Sequence, residues 1–376
     1  MRSILRDGEN SGAESLPKVA IVVLNWNGWR DTIECLESLQ RLNYPNYMIV
    51  VVDNGSTDGS VEKIKSWARG EITVESEFLR DTFSPKPVRW VEYDRSTAVE
   101  GGVQDAEAYL ERFPPSGRMV LIRIEENLGF AAGNNVGIRY ALKKDYPYVG
   151  LLNNDTVVDP DYLSRLVLTL KEYSVYMGAC PKILFKDGVA RIWYAGAKFS
   201  LWRASVSNIG FRKADGPDWC GVKPSGHLTG CAFVARRELF QELGLLDEDY
   251  FFCHEDSAYS LRARKYGFAF CICLDSKVYH KWGGTLRKGG RANAYYSNKY
   301  RLVLLKKEAS LGERLAGYSF YGLSRFAKFF LLLLFGRADL ILAEIEAIRD
   351  FLLNRWGDYD RKRTNSGVIG IKYIGT

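Results

Sequence analysis

Val19-Ala20-Ile21-Val22-Val23-Leu24-Asn25 leads into Trp26-Asn27-Gly28, and a second run, Tyr47-Met48-Ile49-Val50-Val51-Val52, leads into Asp53-Asn54-Gly55-Ser56. Both runs have strand length, are rich in β-branched residues and break off in a polar turn. Between them Ile33, Leu36 and Leu39 lie at helical spacing until Pro45, and Val61, Ile64 and Trp67 resume it after the second turn. Strand, polar turn, helix, repeated, predicts a doubly wound, mostly parallel α/β sheet flanked by helices. Its strands are buried on both faces and so read as unbroken apolar runs. Such sheets bind ligands outside the carboxyl ends of their strands, which makes the polar turns the places to search.

Outward from this start the rhythm lapses between about 70 and 117, a mixed charged stretch with a short strand-like piece at Val88 to Tyr93, and reads there as an insertion. It returns with Met119 to Ile124, a turn at Asn127-Leu128-Gly129, a helix from about Ala131 to Lys144, and a buried strand at Tyr148 to Leu152. A helix carrying Leu163, Leu166 and Leu170 follows Pro160, then Gly- and aromatic-rich strands to about Val234. Arg314 to Trp356 is helical in character, divided near Gly336, with Ile341, Ile345, Ile348 and Leu352 on one stripe.

The 376 residues carry 52 basic and 45 acidic side chains, a net charge of +7. Lys281 to Thr376 alone holds 18 basic and 8 acidic residues, so the basic character belongs to the C-terminal part. Apolar runs reach seven residues, as in Phe329 to Phe335, whereas a spanning helix needs about 20. Met1 to Pro17 lacks the apolar stretch of a signal peptide, and seven cysteines without a Cys-x-x-Cys pair suit reduced thiols, so a cytoplasmic protein is expected. No zinc, helix-turn-helix or RNP signature is present, and nucleic acid is not an expected partner.

Four constellations carry candidate chemistry. Asp53, in Asp53-Asn54-Gly55-Ser56, can accept the imide N–H of uracil or thymine, or serve the start of the next helix, a role Ser56 or Asp58 fills more naturally. Asn153-Asn154-Asp155-Thr156 offers one carboxylate between amides, which suits a hydrated divalent cation shared with a diphosphate, or an ordinary turn. In Phe251-Phe252-Cys253-His254-Glu255-Asp256 a carboxylate can act as general base, and in the first turn of a helix the acidic pair also complements the helix dipole. Val278-Tyr279-His280-Lys281-Trp282-Gly283-Gly284 places one of three histidines at a strand end before Arg287, Lys288 and Arg291, the makings of a metal ligand followed by a loop that closes over a diphosphate.

Taken in order with Asn127-Leu128-Gly129-Phe130-Ala131-Ala132-Gly133-Asn134-Asn135 and Gly230-Cys231-Ala232-Phe233-Val234, these residues resemble glycosyltransferase family 2, over about residues 18 to 285. Within it the chain looks like the rhamnosyltransferase-type members that extend surface polysaccharides. The resemblance implies a GT-A fold: a flexible N-terminus (1–17), a catalytic domain (18–285) with a nucleotide-binding half (18–156) and an acceptor-binding half (157–285), and a basic helical extension (286–376). It implies donor contacts from Asn25, Asp53, Asn54, Asn127, Gly133, Asn134, Asn154 and Asp155, with Mg2+ or Mn2+ on Asp155 and His280. Asp256 would be the catalytic base, and Gly230, Glu255 and Trp282 would meet the acceptor. Asn154 and Ala258 stand where many relatives carry acids, and Lys299-Tyr300 departs from an Arg-Asn ending.

The expected reaction is inverting transfer of rhamnose or a similar hexose from a UDP- or dTDP-sugar to a glycan or polyprenyl-linked acceptor. The alternative is a catalytically degenerate sugar-nucleotide-binding protein. A further expectation is peripheral attachment to the inner membrane face through Leu323 to Phe335, with Arg325, Lys328 and Arg337 flanking the inserted residues. The competing outcome is that this stripe packs on the catalytic domain or forms a homodimer interface.

Overall fold

The computed structural model describes residues 16–79, 85–281 and 290–357. Five strands form a parallel half-sheet: β1 (Val19–Asn25), β2 (Tyr47–Asn54), β3 (Arg89–Asp94), β4 (Arg118–Ile124) and β5 (Tyr148–Asn153), in the order β3-β4-β2-β1-β5. The first two are buried along nearly their whole lengths, as their unbroken apolar runs require. α1 (Trp29–Leu39), α2 (Ser60–Arg69) and α5 (Phe130–Lys143) make the crossovers. The stretch between 70 and 117 supplies β3, the outer edge strand, together with α3 (Arg95–Val99) and α4 (Gln104–Leu110).

The sheet continues past β5 with mixed direction. β12 (Ala232–Arg236) runs antiparallel to both β5 and β7 (Tyr176–Phe185), and β13 (Ala269–His280) runs parallel to β7. Two short strands, β6 (Thr156–Val158) and β11 (Val222–Ser225), pair antiparallel with β13, and β8 (Ile192–Tyr194) with β7. A separate hairpin joins β9 (Ala197–Ser200) to β10 (Ser205–Asn208) through Leu201–Arg203. α6 (Tyr162–Glu172), α7 (Arg237–Leu243) and α8 (Glu255–Lys265) complete the chain up to β13.

Three helices follow: α9 (Arg291–Glu308), α10 (Leu311–Leu334) and α11 (Ala338–Leu352). Gly336, at φ +63, makes the break expected between the last two. The expected stripe on α11 does not hold together: Ile341 is buried, whereas Ile345 and Leu352 are exposed. Ala343, Ala347 and Asp350 are buried instead, and Tyr295 of α9 donates to Asp350 Oδ2 at 2.7 Å. Alanine lets the helix backbones approach closely and the buried carboxylate needs that donor, so these residues outcompete the larger aliphatic ones for the interior.

Candidate active site

Parallel pairing sets Asn25 beside Asp53 at the carboxyl ends of β1 and β2. Asn25 Nδ2 donates to Asp53 Oδ1 at 2.7 Å, and the Ser56 amide donates to Asp53 Oδ2 at 3.1 Å. Asp53 is thereby fixed with both oxygens engaged. It does not cap the following helix; Asp58 stands nearer, accepting from the Ser60 amide at 3.0 Å. Thr32 donates to Asn25 Oδ1 at 2.7 Å and receives Asn154 Nδ2 at 2.9 Å, so one polar network ties β1, β2, α1 and the turn after β5.

Asn54, Asn127, Gly133 and Asn134 occupy supporting positions. Asn54 donates to Asn127 Oδ1 and to the Gly129 carbonyl and accepts from the Leu128 amide, closing the loop before α5. A Cβ on Gly133 would lie 2.7 Å from Leu24 Cδ1, so the glycine lets α5 approach β1. Asn134 Nδ2 returns to the Phe130 carbonyl of its own helix at 2.9 Å. Gly129, at φ +86, leaves no room for a side chain: a Cβ would meet the Phe251 carbonyl oxygen at 2.5 Å, and the Phe130 amide donates to that oxygen at 2.7 Å. The loop before α5 is thus pressed against the segment that presents the acidic pair.

Asp155 and His280 are brought together. Antiparallel pairing sets His280 opposite Thr156, the Lys281 amide donates to the Asp155 carbonyl at 3.0 Å, and His280 Nε2 lies 3.4 Å from Asp155 Oδ1. Both side chains are buried, yet neither Asp155 Oδ1 nor His280 Nδ1 has a hydrogen-bond partner. Burial opposes the imidazolium, but the Cys231 thiol and Asp155 outweigh it and hold the His280 pKa well above its ordinary value. As it stands the pair is a carboxylate beside a protonated imidazole; once that proton is displaced, the Asp155 and His280 lone pairs fit a hard divalent cation, with a diphosphate and water completing its shell. No group of three His, Cys, Asp or Glu side chains that could hold a metal ion by themselves exists among the described residues.

Asp256 sits in the first turn of α8. Its Oδ2 accepts from the Gly230 amide at 3.0 Å and its Oδ1 from the Ser257 amide at 2.6 Å. His227 Nε2 lies 3.6 Å from Oδ2, and the side chain keeps 23% of its surface open. Burial alone would raise its pKa. His227, the Gly230 amide and His254 reverse that and hold Asp256 far below the ordinary carboxylate range. Its neighbour behaves oppositely: Glu255 is buried, its Oε2 has no partner, and burial followed by repulsion from Asp256 drives its pKa up. The loop that delivers this pair is unusual, since Cys253 and His254 both take positive φ, +70 and +69. His254 is half-buried and its pKa falls to about 4, chiefly through desolvation and then Arg301.

His227 is the residue that sequence reasoning missed. It is buried against Phe199, ring centroids 5.4 Å apart, and accompanied by Tyr194 at 6.0 Å. The available signal was that it is one of three histidines and precedes Gly230 by three residues. Gly230 and Cys231 bridge the two centres: the Gly230 amide reaches Asp256, while the Cys231 carbonyl accepts from the Asn153 amide at 2.8 Å. Trp282, Arg287 and Lys288 lie outside the described residues.

With this fold and site in view, the match to a family model settles the class. Residues 20–77 and 99–244, more than half of the chain, match glycosyl transferase family 2, and the protein belongs to that family. The match spans Asp53, Asp155 and Gly230 and ends before Asp256 and His280. Among curated relatives, a low-salt glycan biosynthesis hexosyltransferase of Haloferax volcanii is 28% identical over 140 residues, 37% of this chain and 44% of that protein. The dTDP-rhamnosyl transferase of Shigella flexneri is 24% identical over 163 residues, 43% and 52% respectively. The chain thus spans about half the length of these relatives, or less. Among solved structures, the mannosyltransferase of Pyrobaculum calidifontis in complex with GDP-Man and Mn2+ has a TM-score of 0.51 and 16% identity, covering 90% of this chain and 88% of that one. That likeness supports the GT-A fold.

Proposed function

We propose that this chain is an inverting glycosyltransferase that moves a hexose from a pyrimidine nucleotide-diphosphate donor to a hydroxyl of a glycan or lipid-linked glycan in surface polysaccharide synthesis. The observation that carries the reading is Asp256: ionised, partly open to solvent, and joined through Gly230 and Cys231 to the turn that bears Asp155. Asp53 fixes the nucleotide end through the pyrimidine imide. Asp155 and His280 would hold Mg2+ or Mn2+, which when bound neutralises charge on the diphosphate.

The acceptor oxygen attacks the anomeric carbon from the face opposite the diphosphate. The new C–O bond forms as the bond to the diphosphate oxygen breaks, the electron pair leaves with the diphosphate, and the acceptor proton passes to Asp256. A carboxylate held this low is a weak base. It takes the proton late, once bond formation has made the acceptor oxygen acidic, and in return it stays ionised throughout neutral pH. Its hydrogen bonds from Gly230 and Ser257 keep it aimed without covalent participation.

A second reading, donor binding without transfer, draws on Asn154, whose amide is spent on Thr32, and on Ala258. A thermal-shift panel of UDP-, dTDP- and GDP-sugars with Mn2+ or Mg2+, followed by NMR of the product anomer, separates the two. A donor at 100 times its Kd raises stability by about 2.7 kcal/mol. Transfer with inverted configuration supports the enzyme; binding without turnover over all acceptors supports the second reading.

A further inference from the structure

α10 is amphipathic with its faces reversed. Leu323, Phe326, Phe330, Leu331, Leu334 and Phe335 follow helical spacing along one side and are between 51% and 81% exposed. The only charged residues between Gly322 and Phe335 are Arg325 and Lys328, and both turn inward to buried Glu344, at 3.2 and 2.6 Å. A helix of a water-soluble fold buries its apolar side and shows its charges. Here the two charges are drawn toward Glu344, with Lys328 still partly open to solvent, and the uncharged face is outside. α11 extends the patch with Leu342, Ile345 and Leu352, all at least half exposed. Exposed apolar faces of this kind on two helices that pack together mark a contact site.

We propose that this face docks on the interfacial layer of a lipid bilayer, lying in the surface without crossing it. No described helix is long and apolar enough to span. The charges around the patch choose between a bilayer and a second copy of the chain. At one side Trp202 packs on Phe320 with ring centroids 5.3 Å apart, and the Arg203 guanidinium lies 5.5 and 5.6 Å from the two rings. At the other, Arg349 and Arg355 are more than half exposed while their partner Asp350 is buried. A self-complementary contact would set this basic rim against itself, whereas anionic headgroups complement it and aromatic side chains suit the headgroup level.

The structure also revises the forces. Arg325, Lys328 and Arg337 were expected to flank the inserted residues; the first two are instead paired with Glu344, and Arg337 is engaged by Asp339 at 2.9 Å. Attachment therefore rests on the apolar residues, with the rim charges adding to it. A chain of contacts links α10 to the site: Leu201–Arg203 sits on α10 at Gly317 and Phe320, and Phe199 of β9, just before that turn, contacts His227, the neighbour of Asp256.

Co-sedimentation of the full chain with vesicles of phosphatidylcholine alone, and of phosphatidylcholine with phosphatidylglycerol, at low and high salt, tests this without donor, acceptor or turnover. The wild type is expected to pellet with both, more with the anionic vesicles, and to keep most of its binding at high salt. Phe330→Asp and Leu334→Asp, at exposed positions and with unchanged melting temperature, should each lower partitioning about tenfold or more. A wild type that stays in the supernatant with every vesicle overturns the proposal. So does a dimer by light scattering that both substitutions disperse while vesicle binding is unaffected.

Discussion

The Gly230 amide donates to Asp256 Oδ2 at 3.0 Å, and a side chain at residue 230 would point at Phe130, 3.2 Å from its ring. A glycine at this point lets the approach to β12 run under α8 and hold the carboxylate by main chain alone. The adjoining Cys231 carbonyl receives the Asn153 amide, so one short segment touches both centres.

His227→Phe keeps an aromatic ring in the slot beside Phe199 and removes the nitrogen that faces Asp256. Removing a group that lowers the Asp256 pKa must raise it, so the acid limb of kcat/KM should move to higher pH. A pH–rate profile identical to wild type would leave His227 a packing residue.

Glu255→Gln tests the opposite shift. A carboxyl whose folded pKa is raised contributes stability that is fully present below the ordinary value of 4.5 and is lost as pH rises through the raised one. Thermal melts of wild type should therefore decline relative to the Gln variant across that interval. Parallel curves for the two proteins would mean that Glu255 ionises freely.

Asp155→Ala should weaken metal-dependent donor binding about tenfold or more, and His280→Ala should weaken it less, since each removes one ligand of a shared cation. Titration calorimetry with UDP or dTDP reads this directly. Equal affinity in EDTA and in Mn2+ would remove both residues from a metal site.

The parallel half of the sheet was legible because strands such as Val19–Asn25 and Tyr47–Asn54 are buried on both sides and admit no polar residue before their ends. The polar strand ends were legible for the complementary reason: Asp53 and Asn153-Asn154-Asp155 follow directly on apolar runs, and His280 stands at the end of a strand. What the side chains do there was less so. Asn54, Asn127 and Asn134 carry the same amide, yet they spend it closing a loop or a helical turn, and sequence does not distinguish an amide that faces inward from one that faces a ligand. The direction of α10 was illegible for a sharper reason. Periodicity reports that a helix has two unlike faces; which one points in depends on a partner such as Glu344, distant in sequence and buried only by folding. His227 lay in a stretch without strand or helix periodicity, so only the fold brings it to Asp256.

The role of Asp256 as the base is tested most directly by single-turnover transfer by Asp256→Asn, with donor affinity measured in parallel. The amide keeps the size and, through its one oxygen, the hydrogen bond from Gly230, while losing the basicity and the bond that Oδ1 accepts from the Ser257 amide. Transfer should fall by at least about 10² to 10⁴ with donor affinity unchanged. Near-wild-type transfer by the purified variant would contradict the mechanism.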